Sequence, residues 1–174
     1  MFSFDGNGGG IVDLRTTLQC VQGNNPRSIS LMIQTSASSG GILSTGTTNN
    51  QGAFMIAFAF CGISSIQIII WSGNYCPTSG KRINDGLWHS VLVNYDGTTI
   101  NIYVDGILDN TATNWNVGPL TSSSIASTLK TVGNMNYLGQ LNNISFRWMG
   151  SLKNVVFYDY VVAYSEGKSK TIYL

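Results

Sequence analysis

Charged side chains are scarce in this chain of 174 residues: they make up 10% of it, and the formal net charge is +1. Globular domains average about 25% charged residues, so the strong helix formers Glu, Lys and Arg are depleted here, and Ser, Thr, Asn and Gln take the polar positions. This balance favours β structure over helices. Since the sequence also lacks a cluster of Lys or Arg, it has no electrostatic footprint for nucleic acid or anionic lipid. We therefore expect neither nucleic-acid binding nor membrane insertion.

Uninterrupted hydrophobic runs are also missing. The most apolar segment, Phe54–Trp71, is broken by Gly62, Ser64 and Gln67, and its β-branched and aromatic residues suit strands better than a membrane helix. We predict a β-hairpin in this segment. The N-terminus has neither the basic start nor the continuous apolar core of a secretory signal peptide, so we expect either a mature fragment or a protein that leaves the cell by another route.

Cysteine is limited to Cys20, Cys61 and Cys76, and none of them lies in a C-x-x-C or Cys/His spacing typical of zinc or redox sites. We interpret the three as small buried hydrophobic residues. A strand over 66–71 would carry Cys76 away from Cys61 at about 3.3 Å per residue, so the sequence argues against a disulfide between these two. The disulfide state of the cysteines otherwise stays open.

What the sequence does contain is a series of short apolar runs separated by turn residues. The dipeptides Asp96-Gly97 and Asp105-Gly106 lie between alternating apolar stretches, which is a strong local signal for hairpin turns. We predict three successive antiparallel strands over residues 88–95, 99–105 and 107–113.

A further strand is predicted over Phe54–Phe60, where four large side chains alternate with smaller ones and therefore share one face. Other apolar runs raise the count to roughly a dozen strands, and only Tyr164–Lys168 has the pattern of a helical turn. Many short antiparallel strands with almost no helix predict a sandwich, jelly roll or barrel. The other runs are Ile29–Thr35, Ile42–Thr45, Ile66–Trp71, Asn136–Gly139 and Leu152–Tyr160.

Five segments occur in a characteristic order and spacing: Phe2–Gly6, Gly86–Val91, Tyr95–Gly106, Tyr137–Gly139 and Gly150–Tyr158. Together they resemble the laminin G-like branch of the concanavalin A-like lectin/glucanase superfamily. The resemblance implies an all-β fold, a two-sheet antiparallel jelly-roll sandwich, formed by the whole chain (1–174) as a single domain. It also implies that ligands bind either on the concave face or to loops at the rim, often near a calcium ion.

The superfamily includes glucanases, but the residues that a glucanase needs are missing. Glycoside hydrolysis requires two carboxylates across the scissile bond, and Glu166 is the only glutamate in the chain. Asp96 and Asp105 are explained as turn residues. A Ser/His/Asp mechanism would need His89, whose position at the start of an alternating strand indicates an anchor for a packed strand end. We predict that the protein is not an enzyme and has no catalytic residues.

Two segments have the composition of a sugar-binding site, because sugars stack on aromatic rings and accept or donate hydrogen bonds to amides. One is Asn114–Asn116, directly after the third of the successive strands, and the other is Trp71–Tyr75, at another strand end. Trp115 would stack on a sugar ring, and the amides would bind hydroxyl groups. We predict a module that binds a glycan or glycoprotein through rim loops, whereas Trp148 is interpreted as a sheet residue. The candidate ligand-binding residues are Asn74, Tyr75, Asn114, Trp115 and Asn116.

Calcium would be held, if the resemblance extends that far, by Asn49–Gln51 and Asn114–Asn116. Both segments lack carboxylates, and calcium affinity falls as the number of charged ligands drops. An alternative pair, Asp5 with Asp159, requires a tertiary proximity that the sequence does not show. We predict no metal and no cofactor, and at most a weak calcium site at the rim.

The alternative hypothesis is structural. A low-charge sandwich rich in Asn, Ser, Thr and Gly also suits a decoration domain of a larger assembly, such as a virion surface, a fibre or an adhesin, that binds protein partners or itself. Exposed strand edges and the final Thr171–Leu174 are possible pairing sites, although the tail is better explained as a last strand that closes its own sheet. Either function predicts a location outside the cell or on a virion surface.

Overall fold

The computed structural model describes residues 1–7, 12–13, 23–46, 52–62, 64–70, 74–76, 80–113, 136–141 and 146–163. Within these ranges the chain forms twelve β-strands and no helix, and hence no helix that could cross a membrane. The all-β prediction is confirmed, while the helical turn predicted at Tyr164–Lys168 lies outside the described residues. The strands are β1 (Phe2–Asp5), β2 (Val12–Asp13), β3 (Arg27–Gln34), β4 (Gly40–Gly46), β5 (Ala53–Phe58), β6 (Ile66–Ile69), β7 (Asn74–Tyr75), β8 (Trp88–Tyr95), β9 (Thr99–Val104), β10 (Ile107–Thr113), β11 (Tyr137–Leu138) and β12 (Met149–Tyr158).

The strands form two antiparallel six-stranded sheets. The first sheet has the order β1-β12-β3-β8-β9-β10, and the second has the order β2-β11-β4-β5-β6-β7. Apolar residues that alternate with polar ones along each strand of the first sheet meet the apolar residues of the second sheet in one core. The predicted two-sheet sandwich is confirmed. Fully buried core residues include Ile29, Ile33, Ile42, Leu43, Phe54, Ile56, Phe58, Ile66, Tyr95 and Trp148.

Strands β8, β9 and β10 are the three successive strands predicted from the Asp-Gly turns, and their bounds differ from the prediction only at the end of β9. Asp105 and Gly106 have φ angles of 49° and 82°. A two-residue hairpin turn of type I′ needs positive φ at both positions, which Asp tolerates and Gly adopts freely. The dipeptide therefore fixes this turn from local conformational preference.

Strands β5 and β6 pair antiparallel and form the hairpin predicted in the apolar segment. The large even-numbered residues of β5 lie in the core between the sheets, but Ala53, Met55 and Ala57 are also fully buried, in a second apolar cluster with Leu141. Strand β5 is thus covered on both faces. A strand of this kind contains apolar residues at every position, as β5 does.

The prediction that Phe60 shares the core face of β5 is wrong. The strand ends at Phe58, and Ala59 has a φ of 54°, a conformation that interrupts the alternation of an extended strand. Phe60 therefore packs against the second cluster, with its ring edge-to-face to Phe146 at a centroid distance of 5.2 Å.

A disulfide joins Cys61 and Cys76, whose Cα atoms lie 6.0 Å apart. The prediction against this disulfide is wrong because β7 pairs antiparallel with β6, at Ile68 and Ile69, and so returns the chain toward the start of β6. The interpretation of these cysteines as buried is also wrong, since Cys61 is exposed and Cys76 is half-buried. Cys20 lies outside the described residues.

Candidate functional site

Several strand ends meet at one end of the sandwich, which we term the Arg27 rim. It consists of the start of β3 at Arg27, the β8–β9 turn, and the adjoining ends of β4 and β5. The guanidinium carbon of Arg27 lies 5.5 Å from the centroid of the Tyr95 ring and 5.6 Å from that of the Phe54 ring. Because Tyr95 and Phe54 belong to different sheets, these contacts show that the strand ends of both sheets lie at the same end of the molecule.

Arg27 is fully buried and holds the segment before β3 in place. Its Nε donates a hydrogen bond to the carbonyl oxygen of Asn25 (2.9 Å), and its Nη2 donates one to the carbonyl oxygen of Gly23 (2.5 Å). Hydrogen bonds and the two aromatic rings offset the cost of removing this cation from water. Arg27 is not among the residues predicted from the sequence, although a charged residue at an inward position of an alternating strand is a signal for such a role.

Tyr95 links the same segment to the β8–β9 turn. Its hydroxyl group forms hydrogen bonds with Oδ1 of Asn24 and with the carbonyl oxygen of Gly97, the latter at 2.8 Å. Nδ2 of Asn24 donates to the same Gly97 carbonyl at 3.1 Å. These bonds fix two loops of the Arg27 rim relative to each other.

Asp96 stabilises the β8–β9 turn from within. Its Oδ1 accepts hydrogen bonds from the backbone N–H groups of Thr98 (2.8 Å) and Thr99 (2.7 Å) and from the Thr98 hydroxyl (2.9 Å). Burial alone would raise the pKa of Asp96, but these hydrogen bonds outweigh it and hold the pKa below its usual value. The prediction that Asp96 is a turn residue is confirmed.

Both predicted binding segments adjoin strands at this rim. Asn74 and Tyr75 form β7, where Asn74 is opposite Ile69, although the positions of these two side chains are not described. Asn114, Trp115 and Asn116 lie outside the described residues. Strand β10 ends immediately before them, at Thr113, beside the β8–β9 turn.

The two edge strands next to these segments, β7 and β10, also lie on one side of the sandwich. A Cβ built on Gly80 would be 2.5 Å from Cβ of Ser65, just before β6, and 2.9 Å from Oδ2 of Asp109 on β10. A single residue thus bridges the β6–β7 edge of the second sheet and the β10 edge of the first. Asn74 and Thr113 are consequently at the same end and on the same side of the molecule.

A calcium ion would have few suitable ligands here. Asn49–Gln51 lie outside the described residues, and Asp96 already accepts three hydrogen bonds within its own turn. The alternative pair does not come together: Asp5 is opposite Met149 at the start of β12, whereas Asp159 follows the other end of that strand. Among the described residues, no group of three His, Cys, Asp or Glu side chains could hold a metal ion. The donor atoms that the described part of the rim supplies therefore do not fit calcium, and both predicted ligand segments lie outside that part.

At the opposite end of the first sheet, His89 is held between two carboxylates. Its Nδ1 lies 2.7 Å from Oδ2 of Asp105, and its Nε2 lies 2.9 Å from Oδ1 of Asp85. Asp105 also accepts hydrogen bonds from Nζ of Lys81 (2.6 Å) and from the backbone N–H of Ser90 (2.8 Å). The prediction of His89 as the anchor of a packed strand end is confirmed. The interpretation of Asp105 as a turn residue alone was incomplete, because its carboxylate joins the turn to β8 and to the preceding loop.

The residues of this cluster stabilise one another's charged forms. Burial by itself lowers the pKa of His89, but the hydrogen bonds to Asp105 and Asp85 and their negative charges outweigh it, so that the pKa is raised. The hydrogen bond from His89 lowers the pKa of Asp85. Burial raises the pKa of Asp105, but hydrogen bonds from Lys81, His89 and Ser90 bring it below its usual value. The cluster is therefore an ion-pair network at mildly acidic pH.

The contacts of His89 indicate a structural role for this residue and not a catalytic one. A histidine that acts as a general base needs a ring nitrogen within reach of the nucleophile, and both nitrogens of His89 contact carboxylates.

Trp148 is fully buried directly before β12 and thus unavailable for stacking on a ligand. Glu166 lies outside the described residues. Sequence reasoning missed Lys81 and Asp85 because their partners lie on other elements.

A laminin G family model, described as the concanavalin A-like lectin/glucanases superfamily, matches residues 5–166 of this chain. A comparison with curated protein sequences gave no match.

Several solved structures share the fold at low identity. A Bacteroides ovatus protein described as carbohydrate-binding is 15% identical, with a TM-score of 0.64 over 90% of this chain and 43% of that one. Domain 4 of an extracellular arabinanase from Geobacillus stearothermophilus, in complex with arabinotriose, is 18% identical, with a TM-score of 0.57 over 84% of this chain and 66% of that one. The LG4-5 domains of the mouse laminin alpha1 chain are 14% identical, with a TM-score of 0.53 over 82% of this chain and 39% of that one. The chain thus spans less than half the length of the laminin and Bacteroides chains.

Proposed function

The chain belongs to the laminin G family of the concanavalin A-like lectin/glucanase superfamily, and on that premise we propose that it is a non-enzymatic module that binds a glycan at the Arg27 rim. Laminin G-like domains are typically non-catalytic binding modules, although sialidases and an arabinanase among the similar structures are enzymes. We further propose that residues 1–174 form one domain. The proposed ligand-binding residues are Asn74, Tyr75, Asn114, Trp115 and Asn116.

The observation that supports this proposal is the common location of the two strands, β7 and β10, to which the two segments belong or which they follow in the chain. Strand β7 contains Asn74 and Tyr75, strand β10 ends just before Asn114, and these two strands lie on the same side of the sandwich. The hydrogen bonds of Tyr95 and Asn24 to Gly97 hold the β8–β9 turn, beside which β10 ends. Aromatic rings and amides from two segments at one corner can contact a sugar from two directions.

Chemically, Trp115 stacks on the C–H face of a sugar ring, and the amides bind hydroxyl groups in the plane of that ring. Binding uses no metal ion, because the proposed ligand-binding residues are amides and aromatic residues, and the Asp96 carboxylate is engaged within its own turn. A shallow site of this kind binds weakly as a single copy, and several linked copies provide avidity. The Cys61–Cys76 disulfide is stable in an oxidising environment, which supports a location outside the cell.

The test is a glycan-array screen of the purified chain, with calcium and with chelator, in parallel with Trp115→Ala and Leu87→Ala. Leu87 is 63% exposed and lies at the opposite end of the first sheet, so its variant controls for general effects of surface truncation. For uncharged glycans we expect selective binding that is insensitive to chelator, lost in Trp115→Ala and kept in Leu87→Ala. Full affinity of Trp115→Ala for a verified uncharged glycan would overturn the assignment of Trp115.

A second candidate function is a structural or decoration domain that binds protein partners. It is favoured by the start of edge strand β10, where Ile107 is 70% exposed and Leu108 is 52% exposed. Exposed apolar side chains at the start of an edge strand are suited to association with another chain. A silent glycan array together with a defined oligomer in light scattering would support this function over glycan binding.

A further inference from the structure

The outward face of the first sheet consists mostly of uncharged side chains. Residues that alternate with the core residues of β3, β8, β9 and β12 point away from the second sheet. Most of them are hydroxyl, amide, aromatic or aliphatic side chains. Lys153 is the only charged outward-facing residue of these four strands, because Arg27 and His89 face inward.

Lys153 does not extend into solvent but lies over an aromatic ring. Its Nζ is 4.0 Å from the centroid of the Trp88 ring. Lys153 is opposite Met32 on β3, and Trp88 is opposite Gln34 on the other side of β3, so the lysine side chain crosses β3 diagonally to reach the indole. Lys153 forms no ion pair with any residue in the described part of the chain.

The surroundings of this pair are partly exposed and mostly polar. Gln34, Met32 and Ser151 are half-buried, as Trp88 and Lys153 are, and Ser90 is exposed. The amide of Gln34 is held by a hydrogen bond from its Nε2 to the carbonyl oxygen of Gly86 (2.8 Å).

The chain itself covers the other half of this face. The hydroxyl of Ser28 donates to the carbonyl oxygen of Tyr160, and Nδ2 of Asn94 donates to that of Val162, both at 2.9 Å. Ser28 and Asn94 lie at the far end of β3 and β8 from Gln34 and Trp88. The segment 159–162 therefore leaves the Trp88 end of the face accessible.

We propose that Trp88 and Lys153 form a second binding site, separate from the Arg27 rim, for a sugar that bears a carboxylate. The C–H face of the sugar ring replaces the ammonium group over the indole, and the ammonium group turns to pair with the carboxylate. The amide of Gln34 and the hydroxyl groups of Ser90 and Ser151 bind the sugar hydroxyls. A cation–π contact at an exposed site is weak, so a ligand displaces it easily.

The charge on this face sets the ligand class. On these four strands, one cation without a carboxylate partner lies beside the neutral side chains of Gln34, Ser90 and Ser151. This arrangement matches a ligand with one negative charge per sugar residue. A densely charged chain would require several cations, which these four strands do not provide. The flat indole favours a sugar ring over an acidic peptide, since a ring presents a continuous C–H face for stacking.

The experiment measures binding of oligosaccharides that contain galacturonate, glucuronate or sialate, each beside its methyl ester, which removes the charge and adds one methyl group. Titration calorimetry is performed on the wild-type chain and on Lys153→Gln, Arg82→Gln and Trp115→Ala. Arg82 is an exposed cation in the loop before β8, so Arg82→Gln matches the change in net charge. A thermal melt of each variant verifies folding.

We expect at least one acid to bind more tightly than its ester, by about threefold to fivefold, as for one partly exposed ion pair. This preference should shrink with added salt, disappear in Lys153→Gln and persist in Arg82→Gln and Trp115→Ala. The proposal is overturned by no binding of any acid, by equal binding of acid and ester, or by a preference that survives in Lys153→Gln. If Trp115→Ala alone abolishes binding, this second site is wrong and the proposed function at the rim stands.

Two other occupants are distinguished by the same set of variants. Light scattering reports whether the face binds a second copy of the chain, and an oligomer that dissociates in Lys153→Gln would overturn the sugar assignment. An oligoglutamate peptide is included in the titrations. Lys153-dependent binding of that peptide, without Lys153-dependent binding of any sugar, would also contradict the proposal.

Discussion

Arg27 of β3 and Phe54 of β5 meet across the core, with the guanidinium carbon 5.6 Å from the ring centroid. The contact joins the two sheets at the rim where the predicted binding segments adjoin their strands. Because Arg27 also binds the carbonyl groups of Asn25 and Gly23, one buried side chain fixes a loop and both sheets together. The proposed glycan site thus rests on a rigid support, as a preorganised site requires.

The Tyr95 hydroxyl should contribute measurably to that support. Tyr95→Phe removes the hydrogen bonds to Asn24 and Gly97 and should lower the free energy of unfolding by about 1 to 2 kcal/mol, because two half-buried partners lose a hydrogen bond. Urea unfolding measures the change. Tyr158→Phe is the matched control, since the Tyr158 hydroxyl bonds to no residue in the described ranges, and equal losses in both variants would contradict the assigned role.

The His89 cluster should make stability depend on pH in a defined direction. The pKa of His89 is raised in the folded chain, so its contribution is complete below its ordinary pKa of about 6.5 and is lost as pH rises through the raised pKa. Asp85 and Asp105 have lowered pKa values, so their contribution is present above about pH 4 and is lost as pH falls below that.

The difference in unfolding free energy between wild type and His89→Gln isolates this effect. We expect a difference of about 1 to 2 kcal/mol at pH 5.5 that declines toward pH 9, because glutamine keeps a polar side chain but does not titrate. Urea titrations at four pH values provide the measurement. A difference that is constant over this range would show that His89 contributes through packing alone.

The Cys61–Cys76 disulfide should appear as a linked peptide pair in non-reducing digests. Its cysteines are 15 residues apart in sequence, and closing a loop of that length stabilises a fold by about 3 kcal/mol. A reductant should lower the unfolding midpoint of the wild-type chain accordingly. The double variant Cys61→Ser/Cys76→Ser should start at the lower stability and show no response to reductant, and a wild-type chain that also shows none would contradict the linkage.

Gly150 should not tolerate a side chain. A Cβ there would lie 2.2 Å from the carbonyl oxygen of Gln34, and the residue has a φ of 145°, so Gly150→Ala would push β12 away from β3. We expect a loss of more than about 2 kcal/mol of stability. Gly62 also has positive φ but has no neighbouring atom within 4 Å of its Cβ position, so Gly62→Ala should cost only about 1 kcal/mol, and a comparable loss in the two variants would exclude the clash.

The sequence by itself determined the local structure of this protein. Asp105-Gly106 specifies the type of its turn through local conformational preference, and the alternation of Ile100 and Ile102 with polar residues specifies which face of β9 is buried. Both properties depend on neighbouring residues in the chain, so the strands, the hairpins and the all-β class followed from the pattern.

Only the tertiary structure decided which distant residues meet. Cys61 and Cys76 are joined because β7 reverses the chain, and Lys153 covers Trp88 because β3 inserts between their strands. Such contacts depend on strand order and on the path of the chain between sheets, and no local pattern encodes either. The core and the turns follow from local and alternating preferences, whereas the Arg27 rim, the His89 cluster and the Trp88–Lys153 pair exist only because long-range pairing brings their members together.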